Sequence, residues 1–161
     1  MNVRDIMMQP AVSCGPDTDL AHAAQMMQDR RLGSLPVVDD RHSVIGMLTD
    51  RDVALAVATH RRNTTHVAVR EVMTAAVHCC GPDETVAAAL ARMAAARVVR
   101  LPVVDTESHL TGILSIDDII QRAIDEPGGV PARAFVDALI RISARSAVEA
   151  PIEFADKLVS G

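Results

Sequence analysis

The chain has 161 residues, 49% of them apolar and 23% charged, with a formal net charge of −5. That composition is ordinary for a globular protein, and no apolar run approaches the roughly 18 residues needed to span a bilayer. Basic residues cluster only at Arg30-Arg31 and Arg61-Arg62, and the chain has no Trp, no Tyr and two Phe, which disfavours nucleic-acid binding by charge and stacking.

The opening residues, Met1-Asn2-Val3-Arg4-Asp5, lack the charged-then-apolar layout of a signal peptide, so a cytoplasmic protein is expected. Three cysteines without an export signal predict reduced thiols. After a short Val3–Met7 segment, Ala11–Cys14 reads as a strand ended by Gly15-Pro16. Asp17 or Thr18 is the expected cap of a helix that carries Leu20, Ala23, Ala24 and Met27 at helical spacing. Leu35–Val38 and Val44–Leu48 are short apolar strands on either side of the polar turn Asp39–Ser43, which predicts a hairpin. Thr49-Asp50-Arg51-Asp52 then opens a second helix running to about Ala58. The polar connector from Thr59 to Ala68 contains His60, Arg61, Arg62 and Asn63.

The same order then repeats. Val3-Arg4-Asp5-Ile6-Met7 returns as Val69-Arg70-Glu71-Val72-Met73, Cys14-Gly15-Pro16-Asp17 as Cys80-Gly81-Pro82-Asp83, and Leu35–Asp39 as Leu101–Asp105, always at a shift of 66 residues. An ungapped duplication predicts two copies of one fold around a pseudo-twofold axis. Each copy is near the lower size limit for folding alone, so a shared core is expected. The boundaries read as 1–62, 63–125 and a C-terminal helical tail, 126–161. Glu126-Pro127-Gly128-Gly129 ends the second copy. Phe135, Leu139 and Ile142 share one face of a helix expected from about Ala132 to Ala147. Pro151 breaks the tail before Ile152, Phe154 and Leu158, and the helix is expected to pack on the repeats or on a second subunit.

Leu-Pro-Val-Val-Asp followed by Gly-x-Leu-Thr/Ser-x-x-Asp occurs as Leu35–Asp39 with Gly46–Asp52 and as Leu101–Asp105 with Gly112–Asp118. This pattern resembles a tandem pair of CBS domains, the module named after cystathionine beta-synthase, over roughly residues 3 to 125. The resemblance implies an α+β fold of two β-α-β-β-α units packed through their sheets, and a homodimer in which two pairs form a flat disc. It implies a non-enzymatic regulator of the stand-alone bacterial type, acting on an unidentified protein. Its ligand would be adenosine-containing: AMP, ADP, ATP, NAD or S-adenosylmethionine. No resident cofactor is required. The alternative is a ligand-independent dimerisation scaffold.

Thr49-x-x-Asp52 and Ser115-x-x-Asp118 are the sharpest site candidates. Each hydroxyl falls where a helix begins, beside unpaired N–H groups and the positive end of the helix dipole, a place suited to a phosphate. An aspartate one turn on can accept hydrogen bonds from both ribose hydroxyls. The same spacing also makes a helix capping box. The resemblance implies one cleft built from Ser115, Asp118 and Arg100 with Met7, Val12, Leu32 and Gly33. The other would combine Thr49, Asp52 and Ser34 with Met73, His78, Val98 and Val99. Arg100 offers a planar, always charged fork that its repeat mate Ser34 lacks, while Arg51 stands beside Thr49 where Asp117 stands in the other copy. Unequal clefts are expected. With no aromatic ring in either repeat, a bound base would lie between aliphatic side chains or against backbone.

His78-Cys79-Cys80 lacks the Cys-x2–4-Cys spacing of structural zinc sites, and strand neighbours point to opposite faces. Buried small hydrophobe is the expected role of these cysteines and of Cys14. The remaining histidines show no ligand spacing, so no metal site is expected. No Ser/His/Asp or Cys/His arrangement and no phosphate loop stands out, which argues against an enzyme.

Overall fold

The computed structural model describes residues 1–59 and 64–144. Each copy centres on one antiparallel hairpin. In the first, β1 (Ser34–Val38) pairs with β2 (Val44–Thr49) so that Ser34 faces Thr49. In the second, β3 (Arg100–Val104) pairs with β4 (Leu110–Ser115) so that Arg100 faces Ser115. The helices α1 (Leu20–Arg30) and α2 (Asp50–Thr59) belong to the first copy, α3 (Val86–Ala96) and α4 (Ile116–Arg122) to the second. A fifth helix, α5 (Ala132–Ser143), follows. The result is the α+β pair of matched units that the repeat predicts.

The strand expected at Ala11–Cys14 shrinks to one parallel bridge. Cys14 N–H donates to Pro36 C=O and Val38 N–H donates to Cys14 C=O. Extending that ladder backward requires an N–H at position 36, and extending it forward requires one at position 16; both are proline, which has none. The second copy repeats the arrangement. Cys80 bridges Val103 and is flanked by Pro102 and Pro82.

The helix cap also differs from expectation. Asp19, not Asp17 or Thr18, accepts the His22 N–H at 2.9 Å, and Thr85 does the same for Ala88 at 3.2 Å. Thr18 Oγ is already taken by the Gly15 N–H, and Asp17 is drawn away into an ion pair with Arg70. The hairpin turns are fixed by aspartates. Asp39 accepts from the N–H groups of Arg41 and Ser43, and Asp105 from those of Glu107 and His109.

The short leading turn of each copy packs on the other copy. Val3 N–H donates to Glu84 C=O, Arg4 N–H to Pro82 C=O, and Met8 exchanges both backbone bonds with Ile113. Reciprocally, Val69 N–H donates to Thr18 C=O, Arg70 N–H to Pro16 C=O, and Thr74 exchanges with Met47. The two hydrophobic cores are mixed accordingly. Val3, Ile6 and Met7 sit with Leu101, Leu114 and Ile119, while Val67 and Val69 sit with Leu20, Leu35 and Leu48. The ion pairs Arg4–Asp83 and Arg70–Asp17 obey the same exchange at the surface. Between the hairpins, Val44 N–H donates to Ser108 C=O and Leu110 N–H to His42 C=O, so the repeat mates Ser43 and His109 face each other on the pseudo-twofold axis.

The second copy's helix α4 ends at Arg122, before the Glu126–Gly129 stop. The chain turns there so that Val130 N–H donates to Ala123 C=O, and Gly129 lies so close to that carbonyl that no side chain fits. α5 then buries Phe135 and Ala138 beside Leu90 and Ala94 of α3, with Leu139 and Ile142 partly covered. The expected extension to Ala147, the apolar patch Ile152, Phe154 and Leu158, and the connector residues His60–Asn63 lie outside the described residues. Among the described residues, no helix is long and apolar enough to cross a membrane.

Candidate functional site: two clefts that meet at Ser34 and Arg100

The β2–α2 and β4–α4 junctions have one geometry. Thr49 N–H and Oγ–H both donate to Asp52 Oδ2, at 2.9 and 2.7 Å, and Asp52 N–H donates back to Thr49 Oγ at 3.2 Å. Ser115 and Asp118 match this at 2.8, 2.6 and 3.2 Å. Both elements are therefore capping boxes, and the hydroxyl itself satisfies a helix N–H that the sequence reading offered to a phosphate. Both hydrogen bonds that each aspartate side chain accepts fall on one carboxylate oxygen, Oδ2. A phosphate at either junction needs a different partner.

Arginine supplies one. A cavity of about 160 Å³ lies at the Ser115 junction, lined by Ser115 and Asp118 together with Val12, Leu32, Ser34 and Arg100. Met8, Arg31, Ile113 and Asp117 complete its wall. A second cavity of about 440 Å³ lies at the Thr49 junction, lined by Thr49, Arg51, Val98 and Val99 with Gly33, Ser34 and Arg100. Met47, Asp50 and Arg97 complete that one. Ser34 and Arg100, which are repeat mates, line both.

Several residues expected at the clefts are placed elsewhere. Met7 is 8% exposed and fills the space left by Gly112, with Sδ 2.7 Å from where a Cβ would sit. Met73 stands against Gly46 in the same way. Met8, one residue on, takes the cleft position instead. His78 is exposed and lines neither cavity, and Asp52 is turned into its cap rather than onto the cavity wall. Gly33, expected with Ser115, lines the Thr49 cavity, while Ser34 faces both. Arg31 and Arg97 were missed. They are repeat mates that end α1 and α3 in the left-handed conformation, at φ 54° and 56°, and an arginine three residues before the start of each copy's first strand was the available signal.

Two features give the meeting point its chemistry. The Arg100 guanidinium crosses from the second copy to within 3.7 Å of the Cβ direction of Gly33, and it makes no hydrogen bond or ion pair with any described residue. Ser34 is 5% exposed, and its hydroxyl is buried with no hydrogen-bond partner. A buried hydroxyl without a partner is costly, on the order of 1–3 kcal/mol. The two clefts also differ in charge. Arg51, Arg97 and Arg100 face Asp50 in the Thr49 cavity, whereas Arg31 and Arg100 face Asp117 and Asp118 in the other.

A larger depression of about 690 Å³ lies elsewhere, lined by Cys79, Asp83, Glu84, Arg92 and Asp105 and by none of the expected cleft residues. Cys14 and Cys80 are buried, and burial pushes their thiols up to about 11 and about 12. Such thiols stay protonated at neutral pH and are poor nucleophiles. Among the described residues, no group of three His, Cys, Asp or Glu side chains is placed to hold a metal ion.

Two matched hairpin-and-helix units with reciprocal leading turns define a tandem-repeat module with a cleft at each strand-to-helix junction. The CBS domain family matches residues 3–59 and 69–125, and the chain belongs to it. It is 33% identical over 118 residues to inosine-5'-monophosphate dehydrogenase of Methanocaldococcus jannaschii, covering 73% of this chain and 23% of that protein. It is 32% identical over 116 residues to 5'-AMP-activated protein kinase subunit gamma-3 of Bos taurus, covering 68% and 23%. The chain thus spans under a quarter of the length of these relatives. Among solved structures it resembles the CBS domain pair of protein MJ0100 in complex with 5'-methylthioadenosine and S-adenosyl-L-methionine, with a TM-score of 0.69, 26% identity, and coverage of 75% and 94%.

Proposed function

We propose that this protein is a non-catalytic cytoplasmic sensor that binds adenosine-containing ligands in its two clefts and so biases a partner-binding equilibrium. The observation that carries the reading is the unpaired Arg100 guanidinium beside the buried, unpartnered Ser34 hydroxyl, at the mouth of both capping boxes. These are donors without acceptors, which is what a phosphate or ribose supplies. The adenosine derivatives held by the MJ0100 pair support the class of ligand.

The Thr49 cleft suits AMP, ADP or ATP, because it is the larger and has three arginines against one aspartate. The Ser115 cleft balances two arginines with two aspartates and suits a smaller or less charged adenosine derivative. In the Ser115 cleft the Asp118 oxygen left over from the cap is the acceptor for ribose hydroxyls, in the Thr49 cleft the wall carboxylate is Asp50, and aliphatic side chains such as Val12, Leu32, Val98 and Val99 cover the base. The Thr49 and Ser115 hydroxyls are held by carboxylates as caps, an arrangement for binding rather than for nucleophilic attack. Exposed Leu55 and Val57 on α2 and Ile120 on α4 supply apolar surface for a homodimer.

The test is thermal unfolding of the full chain with AMP, ATP, NAD, S-adenosylmethionine and 5'-methylthioadenosine. A ligand at about 100 times its dissociation constant adds roughly 2.7 kcal/mol, which raises Tm by about 5–11 °C in a chain of this size. No shift with any of them would replace this reading with the ligand-independent scaffold.

A further inference from the structure

Ser34 and Arg100 occupy the same position in the two copies, and each lines both cavities. A side chain near a twofold axis is normally met twice, once from each copy. Here the two positions carry different residues, so the axis holds one guanidinium and one hydroxyl instead of two of either. The hydroxyl is buried and unpartnered on a residue that lines both cavities, and the guanidinium reaches across to Gly33 of the first copy.

We infer that Arg100 and Ser34 form a single phosphate subsite shared by the two clefts, so that a nucleotide phosphate held from one cleft weakens the binding of a second from the other. The inference rests on the adenosine-ligand reading above. Its physical basis is a count of donors and charges. One cationic fork and one O–H complement one phosphate dianion. A second phosphate would approach the same centre against like charge and without that fork, left with Arg31 beside Asp117 and Asp118 in one cleft or with Arg51 and Arg97 beside Asp50 in the other. Coupling of this kind is reciprocal, so filling either cleft first has the same effect. A ligand without phosphate, such as 5'-methylthioadenosine, has no such conflict.

Calorimetric titration of the full chain tests this. Asp118→Ala leaves the Thr49 cleft as the binding cleft and Val99→Trp, which fills the Thr49 cavity, leaves the Ser115 cleft, with Asp118→Asn and Val98→Trp in reserve should either variant melt early. These give an AMP dissociation constant for each cleft alone. In the unsubstituted protein the second AMP is expected to bind at least about tenfold more weakly than its single-cleft value. Arg100→Gln is expected to weaken AMP at least about tenfold in both single-cleft proteins, and Ser34→Ala to weaken both without lowering the Tm of the ligand-free protein. Both substitutions should weaken AMP more than 5'-methylthioadenosine, which has no phosphate. Two AMP constants matching the single-cleft values within threefold would overturn the shared subsite, as would an Arg100→Gln effect confined to one cleft; in either case nucleotide binding itself survives. Absence of any AMP binding to the unsubstituted protein would overturn the shared subsite, and the adenosine-ligand reading falls with it only if the other four ligands also fail to bind.

Discussion

Met7 and Gly112 are packed so closely that the methionine Sδ lies 2.7 Å from where a glycine Cβ would be. Met7 belongs to the leading turn of the first copy and Gly112 to β4 of the second, so this contact locks one copy's start into the other's sheet. Met73 and Gly46 make the reciprocal lock.

Those two glycines are not equally sensitive. A Cβ at Gly112 also meets the Met8 carbonyl oxygen at 3.1 Å, whereas the three atoms nearest a Cβ at Gly46 all belong to the Met73 side chain. A flexible methionine can move aside; a backbone carbonyl in a bridge with Ile113 cannot. Gly112→Ala is expected to destabilise by about 1–3 kcal/mol, and Gly46→Ala by less. Urea unfolding of the two variants checks the order.

Asp118 has a structural duty as well as its proposed ligand duty. Removing it breaks the capping box with Ser115, which costs on the order of 1 kcal/mol. Asp118→Ala is therefore expected to melt slightly early and, at one cleft, to lose adenine-nucleotide binding. Asp118→Asn keeps an oxygen for the Ser115 N–H and should recover most of the stability but not the affinity. Melting and titration read the two effects separately.

The cysteine thiols set an alkaline limit. Burial raises Cys14 and Cys80 from an ordinary value of 9.0 to about 11 and about 12, with the Glu84 carboxylate a further cause at Cys80. A thiol whose folded pKa lies above its unfolded value stabilises the fold fully below the unfolded pKa. That contribution is lost as pH rises through the window from about 9 to about 12. Unfolding free energy should fall across this window, and less steeply in a Cys14→Ala, Cys80→Ala variant. In the native protein, iodoacetamide should reach half-buried Cys79 before either of them.

At the acid end, the hairpin turn of the second copy is the place to look. The His109 backbone N–H holds the Asp105 carboxyl below its usual range, and the Glu107 N–H acts in the same direction. A depressed folded pKa contributes stability above the unfolded carboxylate value near 4 and loses it as pH falls through the lower folded value. Asp105→Asn should be less stable than the parent at pH 6, with the difference shrinking towards pH 3. Denaturation midpoints at the two pH values measure it.

Much of this architecture was legible in the chain, because a shift of 66 residues fixes hairpin, helix and turn twice over. The strand expected at Ala11–Cys14 was an over-reading: Pro16, Pro36, Pro82 and Pro102 stop a parallel ladder after the single-residue Cys14 and Cys80 bridges. The exchange of leading turns was not legible. Val3–Met7 and Val69–Met73 carry the same side chains, so nothing local says which copy each one joins; the choice is made by the tertiary path of the chain. The confusion of Met7 with Met8 has the same root, since adjacent residues in an extended bridge point opposite ways and the sequence does not give the parity. The divergence of Ser34 from Arg100 could be read directly. That both stand at one point, rather than in separate clefts, depends on where the axis falls.

The exchange also dictates an order of assembly. While the chain is being synthesised, the first hairpin cannot complete its core until Val67 and Val69 have emerged. Val3 and Met7, made first, wait far longer for Glu84 and Gly112. β4 closes on the Val3–Met8 turn, so neither copy finishes its core on its own, and folding is governed by contacts of long sequence separation despite a repeat that looks local.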